Sequence, residues 1–265
     1  MNMDCKGVAA ITGASHGIGL DTARLLAQAG YSVYNLSRSA GDGPFIHLPC
    51  DMGDAQNIAA AFARIEEAEG RLDLLICNAG YGIAGPIEDT EAEQFTQQFA
   101  VNFFGACSCV KHALPALRES HGRIVLVSSV AGVLPIPFQA YYSASKAALN
   151  ALGLALAQEV KPYGVSVTIA MPGDAQSAFT AARIKNTVAG GLYDARAARS
   201  LAVMEHDEQN GMSSLSVAQK IAGLALKKRV RLFYSIGDKY KLFYLLQKLL
   251  PLGFVRWIVG QMYAK

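Results

Sequence analysis

The sequence predicts a single-domain α/β fold: a doubly wound parallel sheet of about seven strands with helices on both faces. Three observations predict it. Short apolar runs alternate with amphipathic stretches along the chain, the pattern of repeated strand–helix units with right-handed crossovers. A glycine-rich turn joins the first run to the first amphipathic stretch. Hydrophobic residues make up 52% of the 265 positions and charged residues 17%, which suits strands covered on both faces and excludes a disordered chain.

The elements follow in order. Residues 8–12 (VAAIT) read as a buried strand. The turn TGASHGIG comes next, and LDTARLLAQAG carries a helix that stops at Gly30, the residue type that ends helices most readily. SVYNL (32–36) and FIHL (45–48) are strands, and AQNIAAAFARIEEAEG (55–70) is a helix ending again at glycine. LDLLIC (72–77) is a strand, 91–118 one long helix, GRIVLVS (122–128) a strand, 140–161 a helix and GVSVTIAM (164–171) a strand. Residues 173–213 are less regular and fit a flexible lid. The body spans 1–236, and 237–265 form a basic, apolar helical extension. Sheets of this kind bind ligands beyond the C-terminal ends of their strands.

Composition narrows the function. Cys5, Cys50, Cys77, Cys107 and Cys109 are odd in number and irregularly spaced. They form no CxxC and no Cys/His pattern, so free thiols in a reducing compartment are expected and no metal site. The strand pattern begins almost at once, which speaks against a signal peptide, and no apolar run reaches the length of a membrane span. The expected location is cytoplasmic. Nothing points to nucleic acid. Net charge is +3, unevenly spread: residues 227–265 hold nine Lys or Arg against Asp238 alone, a net +8, which leaves −5 on the rest.

The glycine-rich turn carries the first functional signal. Gly13, Gly17 and Gly19 lie between the first strand and the first helix. Glycine lets the backbone approach a ligand closely, and the helix that follows aims free N–H groups and its positive dipole end at an anion. In that context the turn is a dinucleotide site of the Rossmann kind. The second strand ends in YNLSRS. A carboxylate there would take the adenosine ribose hydroxyl; Ser37 and Arg38 stand instead. A guanidinium grips a 2′-phosphate that a carboxylate would repel, so NADP(H) is favoured, with His16 as a further donor and NAD(H) left open. Arg38 as a plain solvated charge is the alternative.

Two tyrosines and a lysine carry the second signal, in AYYSASK. Positions i and i+4 share a helix face. Tyr142 and Lys146 are four apart, Tyr141 and Lys146 five, so Tyr142 is the partner and Tyr141 faces elsewhere, toward substrate or a neighbouring subunit. A free phenol titrates near 10, and a nearby ammonium lowers that value toward the working range.

TGASHGIG, CNAG (77–80), VNFFG (101–105), VSSVAG (127–132), YSASK (142–146) and PGDAQS (172–177) occur together and in that order. In this the chain resembles the short-chain dehydrogenase/reductases over nearly all its length to about residue 236. The resemblance implies Tyr142 as proton donor to a carbonyl or base for an alcohol. Lys146 would bind the nicotinamide ribose and depress the tyrosine pKa. Ser129 would hydrogen-bond the substrate oxygen, Ser128 being one residue out of register, and Asn102 would hold a water that links the lysine to solvent. Around the cofactor it implies Gly13, Ser15, His16, Gly17, Ile18 and Gly19 in the turn, with Ser37 and Arg38 at the ribose. It places Asp51 and Met52 at the adenine, Asn78 and Gly80 along the cofactor, and Pro172, Gly173 and Ser177 at the carboxamide, beside Tyr142 and Lys146. Two positions depart from the family's common patterns: Cys77 opens CNAG where many members have Asn, and Ala175 loosens PGDAQS.

A closer likeness, in ICNAGYGIAGPIED, LPIPFQAYYSASKAAL and SAF, is to the estradiol 17β-dehydrogenase and retinol dehydrogenase branch. It implies an apolar alcohol or ketone: a steroid, retinoid or lipid-like substrate. Leu134, Ile136, Phe138, Tyr141, Phe179, Leu192, Tyr193 and Met204 are the candidate pocket, though core or interface roles fit them as well. Alternatives are a 3-oxoacyl thioester or small-ketone reductase, and a non-catalytic NADP(H)-sensing protein. Members of the family pair as homodimers or homotetramers, which places the subunit contact on the helices at 91–118 and 140–161. The tail reads as two amphipathic stretches broken by Pro251 and Gly253. Bulky apolar residues alternate there with Lys and Arg. The pattern suits packing over the substrate mouth, a subunit contact, or peripheral contact of 238–263 with an anionic membrane surface.

Overall fold

The computed structural model describes residues 5–186 and 189–264. Its main sheet has the strands β1 (Gly7–Thr12), β2 (Tyr31–Ser37), β3 (Ile46–Pro49), β4 (Leu74–Cys77), β6 (Arg123–Val127), β7 (Ser166–Pro172) and β11 (Phe233–Ile236). They lie in the order β11-β7-β6-β4-β1-β2-β3, every pair parallel. The chain runs outward from β1 through β2 to β3. It then returns to β4 on the other side of β1 and continues outward. The strand order therefore reverses between β1 and β4, where such sheets open a ligand crevice.

All six residues of β1 are buried, because both faces of the sheet are covered. Side chains alternate across a strand. Val8 and Ala10 pack into one core, with α2 (Ala55–Glu69), α4 (Gly105–Glu119) and α5 (Ala140–Val160). Ala9 and Ile11 pack into the other, against α1 (Gly17–Gln28) and α8 (Ser214–Leu226). Asp54 caps α2, accepting from the Gln56 and Asn57 N–H groups, and Gly70 ends it in the left-handed region at φ 61°, the stop expected from the sequence. Buried Arg123 fastens β6 to the end of α8, donating to the Leu224 carbonyl at 2.6 Å and the Ala225 carbonyl at 3.1 Å.

Four sequence expectations change. The helix expected over 91–118 is two helices, α3 (Ala92–Phe99) and α4, joined by a π-helical turn at Ala100–Phe104. Residues 173–213 are more regular than expected. They hold two-residue strands β8 (Ala175–Gln176), β9 (Ile184–Lys185) and β10 (Met212–Ser213), a short α6 (Ala178–Ala181) and the 16-residue α7 (Asp194–Gln209). β8 pairs with β10, and β9 with β5 (Ile83–Ala84). Strand β11 was not read at all. The tail forms α9 (Asp238–Leu249) and α10 (Leu252–Tyr263). The break falls at Leu250–Pro251, both extended, because the proline ring disfavours a helical residue before it. Gly253 lies inside α10 and breaks nothing. Among the described residues no helix is long and apolar enough to cross a membrane.

Candidate active site

Every cofactor residue anticipated from the sequence, from Gly13 to Ser177, lines one cleft of about 630 Å³ at the C-terminal ends of the strands. The glycine turn forms one end. Gly13 sits at φ 67°, where a Cβ would lie 3.0 Å from the Ala79 Cα, and Gly17 sits at φ 58°. A Cβ on Gly19 would meet the Gly13 carbonyl oxygen at 2.3 Å, so no side chain fits between the turn and α1. No side chain caps α1 at His16; its first-turn N–H groups are left for an anion. The His16 ring instead hydrogen-bonds the Ser15 hydroxyl at 2.9 Å.

Thr12 holds this turn to the strand beside it. Its hydroxyl accepts from the Asn78 and Ala79 N–H groups, both at 2.9 Å, while the Asn78 amide donates to the Thr12 and Gly13 carbonyls at 3.1 Å. At the end of β2, Ser37 is buried and donates to the Ser39 carbonyl at 2.7 Å; it shapes the bend that presents Arg38. Arg38 is exposed, lines the cleft, and has no hydrogen-bond or ion-pair partner among the described residues. Asp51 accepts from the Gly53 N–H at 2.8 Å, and Met52 is buried beside it.

The middle of the cleft brings Ser129, Tyr142 and Lys146 together. Tyr142 and Lys146 project from successive turns of α5, with the ammonium 5.9 Å from the tyrosine ring centroid. Ser129 follows β6, and its hydroxyl accepts from the Ala131 N–H at 3.1 Å, which leaves its proton for the cleft. Ser128 is tied instead to the Lys146 carbonyl at 3.1 Å, as its register predicts. Burial pushes the Tyr142 phenol up to about 12, and the neighbouring Ser129 hydroxyl opposes that only in part. Burial also brings Lys146 down to about 8. Its ammonium donates to the Val127 carbonyl at 2.9 Å. Among the protein's own groups, then, desolvation governs the phenol, and the lowering expected from Lys146 does not prevail.

Asn102 lies at the centre of the π turn and is 1% exposed. Its amide donates to the Tyr81 carbonyl at 2.9 Å and the Ser145 hydroxyl at 3.1 Å, and its oxygen accepts from the Tyr81 N–H at 3.0 Å. A Cβ on Gly80 would stand 3.0 Å from the Asn102 oxygen and 3.4 Å from the Lys146 nitrogen. Glycine there lets the two side chains approach each other. π turns recur at functional sites because the extra residue re-aims one side chain.

The far end of the cleft is apolar, lined by Leu134, Ile136, Phe179 and Met204 as anticipated, and also by Phe243, Val259, Met262 and Tyr263 of the tail. The other four candidates lie elsewhere. Tyr141 stacks on Phe95 with centroids 4.6 Å apart, which settles where it faces. Phe138 meets the edge of Tyr193 at 6.4 Å, and Leu192 is exposed to solvent. A polar pair that the sequence did not reveal borders the apolar end, with Glu208 lining the cleft. Buried Arg183 pairs with Glu208, whose other oxygen accepts from the Thr180 hydroxyl at 2.6 Å. Tyr240 of α9 packs where a Cβ on Gly173 would be and donates to the Asp174 carboxylate. That placement carries the tail over the cleft mouth, one of the roles its sequence suggested.

A nucleotide turn, an anion-ready helix end and a Ser/Tyr/Lys group in one cleft define a nicotinamide-dependent oxidoreductase site. Residues 7–187 match the family model for short chain dehydrogenase, and the chain belongs to that family. It is 36% identical to a probable short-chain type dehydrogenase/reductase, VdlC, of Helicobacter pylori, over 92% of this chain and 93% of that one. It is 35% identical to 3-ketodihydrosphingosine reductase of Bacteroides thetaiotaomicron, over 86% of each. Among solved structures, a short-chain dehydrogenase from Streptomyces avermitilis superposes with a TM-score of 0.82 at 25% identity, covering 98% of this chain and 97% of that one. An alcohol dehydrogenase from Thermococcus sibiricus complexed with 5-hydroxy-NADP gives a TM-score of 0.71 at 25% identity, covering 88% and 97%. The protein is therefore an enzyme that acts on CH–OH groups with a nicotinamide cofactor.

Proposed function

We propose that the enzyme is an NADP(H)-dependent reductase/dehydrogenase for the carbonyl or secondary alcohol of an apolar, lipid-like substrate. One observation carries this reading: the cleft that holds Ser129, Tyr142 and Lys146 has unpaired Arg38 at one end and an apolar, tail-covered chamber at the other. Arg38 would grip the ribose 2′-phosphate and the α1 N-terminus the pyrophosphate. Lys146 would hold the nicotinamide ribose, and Pro172, Gly173 and Ser177 would border the carboxamide. When bound, the nicotinamide supplies or accepts the hydride.

Ser129 donates a hydrogen bond to the substrate oxygen and orients it toward the phenol. With its pKa raised to about 12, Tyr142 carries its proton at neutral pH and delivers it to that oxygen as a carbonyl is reduced. In the reverse direction the same group, deprotonated, takes the proton of the alcohol. Lys146 supplies positive charge beside the phenolate left after transfer. Asn102 fixes the Tyr81 segment beside Lys146 and keeps a polar route between lysine and solvent. The likeness to 3-ketodihydrosphingosine reductase supports a lipid-like ketone over a small one. Exposed Phe104 at the end of the π turn and Leu154 of α5 support subunit pairing through that turn and α5.

The test is NADPH and NADH consumption across steroid ketones, retinal, long-chain ketones, 3-oxoacyl thioesters and small ketones. Turnover of one apolar class, faster with NADPH, is expected. Turnover of small ketones alone refutes the apolar reading. Tight NADPH binding with no turnover of any of these refutes the lipid-ketone assignment and favours a cofactor-sensing role.

A further inference from the structure

The tail helices have two faces, and the mouth of the cleft uses only one. Phe243 of α9 and Val259, Met262 and Tyr263 of α10 line the cleft. α10 is fixed to the lid helix α7: the Tyr263 hydroxyl donates to Asp207 at 3.2 Å, and Arg196 donates to the Ala264 carbonyl at 2.9 Å. The outward faces carry Leu242, Leu245 and Leu249 at helical spacing on α9, then Leu252, Phe254 and Trp257 on α10. Leu249, Leu252 and Trp257 are 72%, 74% and 58% exposed. Exposed apolar side chains so concentrated mark a contact surface.

Charge identifies what it contacts. The basic cluster Lys227, Lys228, Arg229 and Arg231 precedes β11 and so sits at the N-terminal end of the parallel strands, opposite the mouth. Lys239, Lys241, Lys248 and Arg256 stand exposed on the tail helices; Lys239 pairs with Asp174 and Lys241 with Asp238, while Lys248 and Arg256 have no acidic partner among the described residues. Bulky apolar residues between long cationic side chains, with an aromatic pair at Phe254 and Trp257 stacked 5.8 Å apart, match a helix seated at an anionic lipid surface. An isologous pairing through this face would set cations against cations. We infer that the outward face of α9 and α10 docks on an anionic bilayer and brings the cleft mouth to the lipid. This does not rest on the substrate reading.

Trp257 is the chain's only tryptophan, so its fluorescence reports on this face without a label. The full chain is titrated with phosphatidylcholine vesicles with and without phosphatidylglycerol, at low and high salt, and sedimented. A blue shift and co-sedimentation with the anionic vesicles are expected, weakening about tenfold or more in high salt or in Lys248→Glu/Arg256→Glu. Leu245→Glu/Leu249→Glu, at exposed positions outside the cleft, should abolish both and leave the melting temperature unchanged. Absence of any shift or sedimentation in the wild type overturns the proposal. Equal, salt-independent binding to neutral vesicles overturns the anionic assignment. A shift that grows with protein concentration without lipid, together with dimers in sedimentation velocity, gives the face to a second copy instead.

Discussion

Replacing Lys146 with methionine should stabilise the fold at neutral pH while it removes turnover, and the gain should shrink as pH rises. The reason is the cost of keeping an ammonium where the residue is 4% exposed. Burial lowers its pKa from 10.5 to about 8. In the unfolded chain it stays protonated to higher pH, so between those two values the unfolded state binds more protons and stability climbs with pH. That lowering corresponds to about 3 kcal/mol of penalty at pH 7, of which about 2 kcal/mol is relieved by pH 9.5. Methionine keeps the length and apolar stem but strands the Val127 carbonyl that Lys146 serves at 2.9 Å, a loss of about 1–3 kcal/mol at every pH. The net change at pH 7 is therefore a modest gain, but its pH dependence is free of that offset. Urea denaturation of both proteins at pH 7 and pH 9.5, followed by circular dichroism, measures it. The variant's advantage should be about 2 kcal/mol larger at pH 7 than at pH 9.5. Equal differences at the two values would mean that burial does not penalise this lysine, and the charge argument for its catalytic role would go with it.

Four further substitutions test the site. Tyr142→Phe should lower kcat by about 10²- to 10⁴-fold with NADPH affinity nearly unchanged by fluorescence titration, whereas Tyr141→Phe, which stacks on Phe95, should keep most of the rate. Arg38→Asp should swing the NADPH-to-NADH ratio of kcat/KM toward NADH, and an unchanged ratio would remove the 2′-phosphate contact. Arg183→Met leaves Glu208, which lines the cleft at 12% exposure and keeps its Thr180 hydrogen bond, without its cation and should cost about 1–3 kcal/mol in chemical denaturation; a variant as stable as the wild type would show the pair to be solvated.

The parts of the fold and site that were legible in the sequence are those written in local spacing. The glycine turn, the Tyr142/Lys146 face and the alternation that lays out β1 to β4, β6 and β7 depend on residues a few positions apart. The π turn was not legible, because one extra residue in a turn leaves the apolar pattern of 91–118 almost unaltered while it re-aims Asn102. Helix α7 was missed because its buried positions are Ala197, Ser200 and Met204, too small and too polar to draw an apolar stripe. β11 is four residues at the sheet edge with two of them buried, short enough to pass as a loop. Arg183 and Glu208 are 25 residues apart, and nothing local marks them as partners. Phe138 and Tyr141 looked like pocket residues because aromatic side chains near a catalytic tyrosine suit a pocket and a packing contact equally well. Only the fold separates the two.

Chemistry and specificity rest on different kinds of structure in this chain. Thr12, Asn78 and Gly19 fix the nucleotide end through backbone contacts that admit no added atom. Ser129 and Tyr142 are placed by the end of β6 and the start of α5, inside the rigid part of the fold. The substrate end is assembled from segments far apart in sequence: Leu134 and Ile136 after β6, Phe179 and Met204 in the lid, Phe243 and Met262 in the tail. Side chains there can change size with little effect on the sheet, so substrate preference can drift while the proton transfer is preserved. What ties the two regions together is the short segment after β7. Pro172 pairs with Ile236 in the sheet, Gly173 makes room for the Tyr240 ring, and Asp174 receives its hydroxyl. The position of the tail, and with it the shape of the apolar chamber, is thus set by the same residues that we propose border the carboxamide.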